Sequence, residues 1–561
     1  MYHLITSILQ MFARVASHDV AQHVAPYLQD TSRKRPLSGF VTIMLLASVT
    51  LSACATPAPQ VVTVKETVVV EKEVEVIVTL TPEVQSITAV APAQTTLTVA
   101  ASADIDTADP HVSQLLMFNN IIRLNVFNSL VRYGPNLELV SDLAESWSNP
   151  DDKSYIFKLR QGVKYHNGQE VQATDVEFSF KRIGAKETVF SSRVANIETY
   201  EVVDNYTIKI TLKKPQADFL DGLVFLSILP QTAEADLAKT PVGSGPFKFV
   251  EWVTNDHVTL ARNSDYWEQD LVKIETLIFK IIPEPQVAVT NLQAGEIDGM
   301  LEIPVAQAVF FKGSNEIKAI IQPTSSFHLF EMLGKNSEPI RNDVRVRQAL
   351  AYCFDKDLIQ KTVFSGEGRQ KWSFIPYGSW AYKEETGYPY NPEKAKALLA
   401  EAGVGEGFEF SVIVPSGYPD GEKVTTIWQA CLADIGVKLN IEIQELSVWL
   451  DNYINHTYDI CWNVFPGFAD PNYFVALGLK PHWADGWQNA DAEKAADDAN
   501  STPQLAKRTE HYAAVQAATV ADLPVIVVQE APQASLVKPN VVGWEINSLG
   551  MVIVRGVSFG Q

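Results

Sequence analysis

Eight side chains in the middle and later parts of the chain are suited to holding a small ligand. Seven are rings, which offer broad apolar faces at little cost in conformational entropy, and the eighth is a carboxylate. They are Phe327, His328, Trp372, Trp380, Trp462, Phe465, Phe468 and Asp470. Each ring could equally pack in a core, and the sequence leaves both roles open. These residue types offer ring stacking and one charged hydrogen-bond acceptor to a ligand.

The sequence lacks the motifs of the common enzyme classes. It contains no G-x-S-x-G elbow, no H-E-x-x-H pair, no phosphate-binding P-loop and no paired-cysteine zinc spacing. The run GVGEG at 403–407 follows a predicted helix and precedes a predicted strand, the reverse of the order in a dinucleotide-binding fold. The ten histidines are scattered, without helical metal-pair spacing. We therefore expect a protein that is not an enzyme and that has no cofactor and no bound metal.

Length and charge limit the class of protein further. With 561 residues the chain is longer than one hydrophobic core usually supports, so two or more lobes are expected. Its formal net charge of -21 opposes nucleic acid as a partner, because phosphate binding needs a concentrated basic surface. The acidity is typical of a soluble globular surface.

The N-terminal region, residues 1–53, has the features of a signal for secretion. Basic residues at 33–35 precede an apolar run from Leu37 to Leu51, which ends in the sequence LSAC at 51–54. These four residues resemble the lipobox of bacterial lipoproteins, in which the cysteine becomes the lipidated first residue. Cys54 is therefore the predicted lipid attachment site, and an uncleaved membrane anchor is the alternative. Residues 1–32 are unusual before such a signal, which leaves the true start codon open.

The segment 54–95 differs in composition from the rest of the chain. Valine alternates there with charged residues and threonine, no aromatic residue occurs, and nothing supplies a partner sheet. We interpret it as an extended tether that separates the folded part from the membrane, with a self-pairing stalk as the alternative.

Three cysteines follow the predicted lipid attachment site. Cys353, Cys431 and Cys461 each lie in an apolar periodic segment and are far apart in sequence. We therefore predict three buried thiols and no disulfide.

The elements that would hold the eight side chains alternate between strands and helices. Phe327 and His328 lie in an alternating strand, and Asp343 then caps a predicted helix that extends toward Gly366. Further on, the strands FEFSVIVP, KLNIEIQEL and YDICWNVF alternate with helices across short joints, which predicts a parallel sheet. Ligands of such sheets bind beyond the carboxyl ends of the strands, so the loop PGFADPNYF at 466–474 is a candidate cleft wall.

The chain is predicted to cross between two bodies twice, near Phe327 and again near Val527 in the strand LPVIVVQE. We place lobe one at 96–335 and 523–561, and lobe two at 336–522. Two crossing strands would restrict the relative motion of the lobes to a hinge.

A run of motifs resembles the extracellular solute-binding proteins of family 5, the oligopeptide, dipeptide and nickel group of ABC importers. In family order between about Leu97 and Trp544, the motifs are YIFKLRQGVKYHNGQEVQATDVEFSFKRI, PVGSGPFKFVEW, RNSDYW, LQAGEIDGM, DVRVRQALAYCFDKDLI, YNPEKAKALLAEAG and LVKPNVVGW. The resemblance implies an α/β, two-lobed periplasmic-binding-protein-like fold, type II in the large family-5 form, with two crossover strands and an interlobe cleft. It also implies lipid anchoring at the outer face of the cell membrane or in the periplasm, and delivery of the ligand to a permease with ATPase subunits. We expect a monomer.

The sequence departs from the peptide-binding pattern at one position. Peptide-binding members of the family have an aspartate three residues before an acidic-proline pair, and it pairs with the ligand's terminal ammonium. Here the pair is Asp470-Pro471, and Gly467 occupies the aspartate position. A buried ammonium without a partner is costly, so Asp470 or another carboxylate would have to substitute. A peptide-like ligand and an oligosaccharide both remain open, as does a ligand sensor that does not transport.

Overall fold

The computed structural model describes residues 94–560, apart from 114, 135–136, 186–189, 234–236 and 486. The predicted signal region, Cys54 and the predicted tether up to residue 93 lie outside the described residues. Within the described part, none of the helices combines the length and the apolar character needed to cross a membrane.

The first half of the described chain mixes three sheets with helices, and the second and third strands form the smallest of these sheets by themselves. Its strands are β1 Thr96–Ala101, β2 Val131–Tyr133, β3 Leu139–Ser141, β4 Ala144–Ser148, β5 Ser154–Leu159, β6 Ile197–Asp204, β7 Thr207–Leu212, β8 Phe247–Val253, β9 His257–Arg262, β10 Thr276–Ile281 and β11 Gly299–Met300. Strands β4, β5, β7 and β6 form a separate antiparallel sheet, while β11, β1, β10, β9 and β8 belong to a larger one.

The helices of this half pack on the faces of those sheets. They are Leu116–Phe118 and Leu124–Val126, which flank the π-helical Asn119–Arg123, then Ala173–Ala185, Ser191–Val194, Phe219–Leu223, Pro285–Ala294 and Val305–Ala308, with 3-10 turns at Gln231–Ala233 and Val309–Phe311. The helix Pro285–Ala294 begins with proline at its first position and ends at Gly295, whose φ of 83° is the left-handed conformation that closes a helix.

The second half contains the predicted parallel sheet. Its strands are β12 Lys318–Glu331, β13 Arg369–Gln370, β14 Glu409–Pro415, β15 Lys438–Gln444, β16 Ile460–Phe465, β17 Val525–Val537, β18 Val541–Val542, β19 Glu545–Ile546, β20 Val552–Ile553 and β21 Ser558–Phe559. Strand β14 pairs in parallel with both β15 and β16, so that prediction is confirmed.

Helices cover both faces of this second half of the sheet. They are Glu338–Asn342, Val344–Tyr352, Lys356–Thr362, Pro392–Glu401, Pro419–Asp434, Leu446–Asn455, Asn472–Phe474, Lys480–Asp485, Ala490–Ser501 and Leu505–Asp522, with π-helical Val475–Leu479. The Asp343 side chain caps the helix as predicted, since it accepts a hydrogen bond from the Arg345 N–H. The single helix predicted to run toward Gly366 is wrong. Asp355 caps a new helix by accepting from the Leu358 N–H, so the segment divides in two.

Two long strands, β12 and β17, connect the two halves of the large sheet. They pair antiparallel with each other along their length. The C-terminal end of β17 pairs with β11 through Leu536 and Val537. The C-terminal end of β12 pairs with β16 through Phe327 to Glu331. The sheet therefore continues through both lobes in the order β15-β14-β16-β12-β17-β11-β1-β10-β9-β8. This confirms the two predicted crossover strands.

The prediction that Cys353 and Cys431 are free thiols is wrong. The two residues form a disulfide, with their Cα atoms 5.8 Å apart, while Cys461 is free and buried as predicted. Cys353 follows the helix Val344–Tyr352, and Cys431 lies in Pro419–Asp434. These helices are in contact, because the Trp428 indole N–H donates to the Leu350 carbonyl at 3.0 Å. Sequence periodicity shows that each cysteine is on a buried face but does not show which two faces pack together.

Candidate ligand-binding site

The pairing of the two crossover strands is interrupted at their middle. The register of β12 with β17 shifts between Pro323 and Phe327. In this gap Thr324 donates its hydroxyl to the Ala531 carbonyl at 2.8 Å, and the Ser325 hydroxyl donates to the Ser548 carbonyl at 2.8 Å. Side-chain hydrogen bonds thus replace the regular ladder at the level where the two lobes meet.

Gly467 packs against this interrupted stretch. Its backbone N–H donates to the Ser326 hydroxyl at 2.9 Å, and a Cβ at this position would clash with Ser325 Oγ. The glycine that stands in place of the family's aspartate is therefore needed for the close approach of this loop to β12. An aspartate here would require the Ser325 hydroxyl to turn away from the Ser548 carbonyl, or the loop to move.

Phe327, Phe465 and Phe468 are brought together in one buried aromatic cluster. The Phe327 ring centroid lies 5.7 Å from that of Phe465, 6.2 Å from that of Phe468 and 5.2 Å from that of Phe474. Phe327 is fully buried. The Lys371 ammonium lies 4.5 Å from the centre of its ring, which adds a cation–π contact.

His328 and Trp462 lie on the opposite face of the sheet from that cluster. Adjacent strand residues point to opposite faces, so Phe327 and its neighbour His328 are separated. The His328 ring stacks on Phe364 at 5.0 Å and on Trp462 at 5.4 Å. Burial lowers the pKa of His328 to about 4, which keeps the ring neutral at physiological pH.

The two remaining tryptophans occupy different surroundings. Trp372 is half-buried, with the Lys356 ammonium 3.6 Å from its ring centre. Trp380 is also half-buried and lies beside the Arg508 guanidinium, 4.9 Å from the ring centre, and beside the Tyr512 ring. Of the two, Trp380 is the one that the structure places near Asp470.

Asp470 forms a buried ion pair with Arg508. The Nη2 atom of Arg508 lies 2.9 Å and 2.7 Å from the two carboxylate oxygens of Asp470, and both side chains are buried. Asp470 also accepts a hydrogen bond from the Asn472 N–H at 2.9 Å. Its charge is therefore already compensated within the protein, which makes it a poor substitute partner for a ligand ammonium.

The loop that carries Asp470 contacts a short helix of the first lobe. The Asn472 side-chain amide donates to Asp218 at 2.9 Å, and the Ala217 N–H donates to the Asn500 carbonyl at 2.8 Å. Tyr133 donates its hydroxyl to Asp221 at 3.2 Å. The first two of these bonds join the two lobes at the end of the predicted parallel sheet where the cleft wall was expected, and the bond from Tyr133 to Asp221 lies within the first lobe. We name Asp218, Asp221 and Asp470 with Arg508 the interlobe cluster.

Carboxylates outnumber cations in the interlobe cluster. Burial, followed by the charges of Asp470 and Asp218, raises the pKa of Asp221 to about 8. Burial also raises the pKa of Asp470, although Arg508 opposes this shift. Asp218, Asp221 and Arg508 were not identified from the sequence. No local pattern connects them to Asp470, because they meet it only through packing of distant elements.

We predict that the stability of the protein depends on pH through Asp221, and that Asp221→Asn removes this dependence. The folded protein holds a proton on Asp221 that an unfolded chain releases above about pH 4. The contribution of Asp221 to the free energy of unfolding should therefore fall as the pH rises from about 4 to about 8, and then level off. The melting temperature of the variant relative to the wild type should rise over this pH range. The exposed Asp265 is the matched control position, since its side chain lies outside this contact. A difference that stays constant with pH would contradict the prediction.

The architecture defines the class of protein first. Two lobes share one sheet through two crossover strands, and their contact collects polar and aromatic side chains, which is the organisation of a two-lobed binding protein. Residues 138–485 match the family model for bacterial extracellular solute-binding proteins, family 5. The chain belongs to this family, as its motifs predicted. Members of the family are extracytoplasmic solute-binding components of ABC importers.

Individual relatives agree with this assignment. Di/tripeptide-binding protein 1 of Pseudomonas aeruginosa is 28% identical over 481 residues, which cover 78% of this chain and 89% of that protein. Heme-binding protein A of Haemophilus influenzae is 33% identical over 352 residues, covering 56% of this chain and 64% of that protein. The solved structure of HbpA2 from Haemophilus parasuis has a TM-score of 0.76 and 27% identity, and the match covers 83% of this chain and 100% of that one.

Proposed function

We propose that this protein captures a small peptide-like ligand between its lobes and delivers it to a membrane permease. The observation that carries the proposal is the pair of strands β12 and β17, each shared by both lobes and interrupted at the same level. Rotation about the stretch 324–326 would open and close the cleft without breaking either core. The di/tripeptide-binding relative supports a peptide-like ligand. The proposal also places the lobes at 96–335 with 523–561 and at 336–522, and the lipid anchor at Cys54.

Opening of the cleft would break the hydrogen bonds that join the lobes beside the interlobe cluster. The hydrogen bonds from Asn472 to Asp218 and from Ala217 to Asn500 each join one lobe to the other. These partly buried hydrogen bonds contribute only modest net stability, because water replaces them on opening. Closure can therefore depend on the ligand, which a protein that must release its cargo requires.

The half-buried Trp380 beside Arg508 is the proposed aromatic contact for the ligand. It lies next to the interlobe cluster and retains exposed surface, whereas Phe327, Phe465 and Phe468 are buried in the cluster described above. The proposal thus ranks Trp380 first among the eight candidate residues. In this proposal the three phenylalanines pack in the core and do not contact the ligand.

An oligosaccharide is the second candidate ligand. Gly467 removes the family's ammonium partner, and Arg508 already neutralises Asp470. An uncharged ligand that stacks on a ring would need neither carboxylate.

A thermal-shift panel of di- and tripeptides tests the proposal against the oligosaccharide alternative. Ligand at about 100 times its dissociation constant should stabilise the protein by about 2.7 kcal/mol, because it binds only the folded state. We expect peptides to raise the melting temperature and short oligosaccharides to leave it unchanged. Free alanine serves as the control for solute effects. A shift with oligosaccharides and none with peptides would reverse the assignment.

A further inference from the structure

The first lobe contains a small cavity that none of the eight candidate residues lines. Its volume is about 60 Å³, and its walls come from the helical segment 123–129, strand β2, residues 224–227 and the C-terminal residues 547–555. Sites that enclose a whole small molecule are several times larger, on the order of 300 Å³ or more. This cavity can therefore hold one functional group of a larger ligand.

The charged groups that line the cavity are mainly cations. Arg123, Arg132 and Arg555 face a single carboxylate, that of Asp142. Arg132 is paired with Glu268 at 2.9 Å, and Arg123 donates its terminal nitrogens to Asn119 and to the Pro110 and Ser113 carbonyls. The Arg555 guanidinium and the Arg123 Nε–H therefore remain available to an acceptor in the cavity. Cations thus outnumber carboxylates among the residues that line the wall, although the charges of Glu268, Asp106 and Asp109 also act on these arginines.

The carboxylate of Asp142 is occupied by other donors. It accepts hydrogen bonds from the Asn128 side-chain amide at 2.8 Å and from the Ser129 N–H at 2.9 Å. Burial raises its pKa, and the charges of Arg132 and Arg555 oppose this shift. Within the described residues Arg555 makes no ion pair, and burial together with the charge of Arg132 lowers its pKa.

Among the residues that the structure describes, two polar atoms in the cavity wall are buried without a hydrogen-bond partner. They are the Ser227 hydroxyl, whose residue is fully buried, and the Nε of Arg123, whose residue is 5% exposed. A buried donor without a partner costs free energy, so such atoms are uncommon unless something else satisfies them. Both atoms can donate, and an acceptor group placed in the cavity would satisfy them.

We propose that this cavity is a subsite for an oxyanion group of the ligand, a carboxylate or a phosphate. The Arg555 guanidinium presents paired N–H donors that match the two oxygens of such a group, and the Arg123 Nε–H and the Ser227 hydroxyl add further donors. Tyr133 lines the cavity and donates to Asp221, so the cavity adjoins the interlobe cluster. The inference rests on the proposed function for the ligand as a whole and adds that this ligand is anionic at one end.

Calorimetric titration with three probes tests the subsite: the dipeptide Ala-Ala, its C-terminal amide and inorganic phosphate. Loss of a hydrogen bond to a charged group weakens binding roughly tenfold or more. We expect Ala-Ala to bind at least about tenfold more tightly than its amide. Ser227→Ala and Arg555→Gln should each remove most of that difference, and Arg262→Gln, at an arginine on β9 paired with Glu275, should keep it.

The outcomes separate the subsite from the proposed function. Equal affinities for Ala-Ala and its amide would overturn the subsite and leave peptide capture standing. If neither dipeptide binds, phosphate binding to the wild type and not to Arg555→Gln would support the subsite while the proposed function fails. Absence of binding for all three probes would overturn both.

Stability measurements without ligand distinguish a binding role from a structural one. Arg555 is half-buried, makes no ion pair within the described residues and lies near another guanidinium, so Arg555→Gln should keep or raise the melting temperature. Ser227→Ala should leave it unchanged, because the hydroxyl has no partner to lose. A lowered melting temperature in both variants would identify these side chains as structural and would overturn the inference.

Discussion

Replacement of Arg508 by methionine is expected to destabilise the protein by about 3–5 kcal/mol, because it leaves a buried carboxylate without its cation. The Arg508 and Asp470 side chains are only 6% and 4% exposed, and Asp470 already lies near Asp218. Arg508 also donates its Nε–H to the Ala499 carbonyl at 2.9 Å, so the substitution leaves a second buried group unsatisfied. The free energy of unfolding from urea titration is the measurement.

The loss of stability in Arg508→Met is attributed to the burial of the ion pair, and an arginine in an exposed ion pair provides the control. Arg262 pairs with Glu275 at a similar distance of 2.8 Å, but the two side chains are 33% and 54% exposed. Arg262→Met should therefore cost less than about 1 kcal/mol. Combining Arg508→Met with Asp470→Asn should recover part of the loss, since no unpaired charge remains. Equal costs for the two arginine variants would contradict the account of the buried pair.

Truncation of Phe327 to alanine is expected to cost about 3–5 kcal/mol, because it opens a cavity in a packed aromatic cluster. The ring is fully buried on the crossover strand β12 and contacts rings from the loop and helix that follow β16. The neighbouring rings belong to separate elements that are held by their own contacts, so the cavity can collapse only in part. Thermal and urea unfolding measure the loss.

An exposed phenylalanine provides the control for this truncation. Phe310 is 85% exposed, so Phe310→Ala should change stability by less than about 0.5 kcal/mol. Ligand affinity decides what Phe327 does beyond packing. If Phe327→Ala melts like the wild type but loses peptide binding, the ring contacts the ligand, and the packing role assigned here is wrong.

Much of the local structure follows from residues that are close in sequence. Asp343 caps its helix as predicted, Asn391 caps Pro392–Glu401 by the same local hydrogen bond, and the alternating strands β14, β15 and β16 form the predicted parallel sheet. These features depend on contacts within one or two turns of helix or one strand, which a sequence displays directly. The ordered run of motifs likewise identified the family. The separation of Phe327 from His328 was also implicit in strand alternation, although the residues that each would meet were not.

The candidate site depended on contacts that no local pattern records. Asp470 meets Arg508, 38 residues away, and Cys353 meets Cys431, 78 residues away. Asn472 meets Asp218 at a separation of 254 residues and from the other lobe. The sequence by itself determined which faces of each helix and strand are buried and the family to which the chain belongs. Only the tertiary structure decided which buried faces meet, because that depends on how whole elements pack together. This packing determined the partner of Asp470, the disulfide and the arginine-lined cavity.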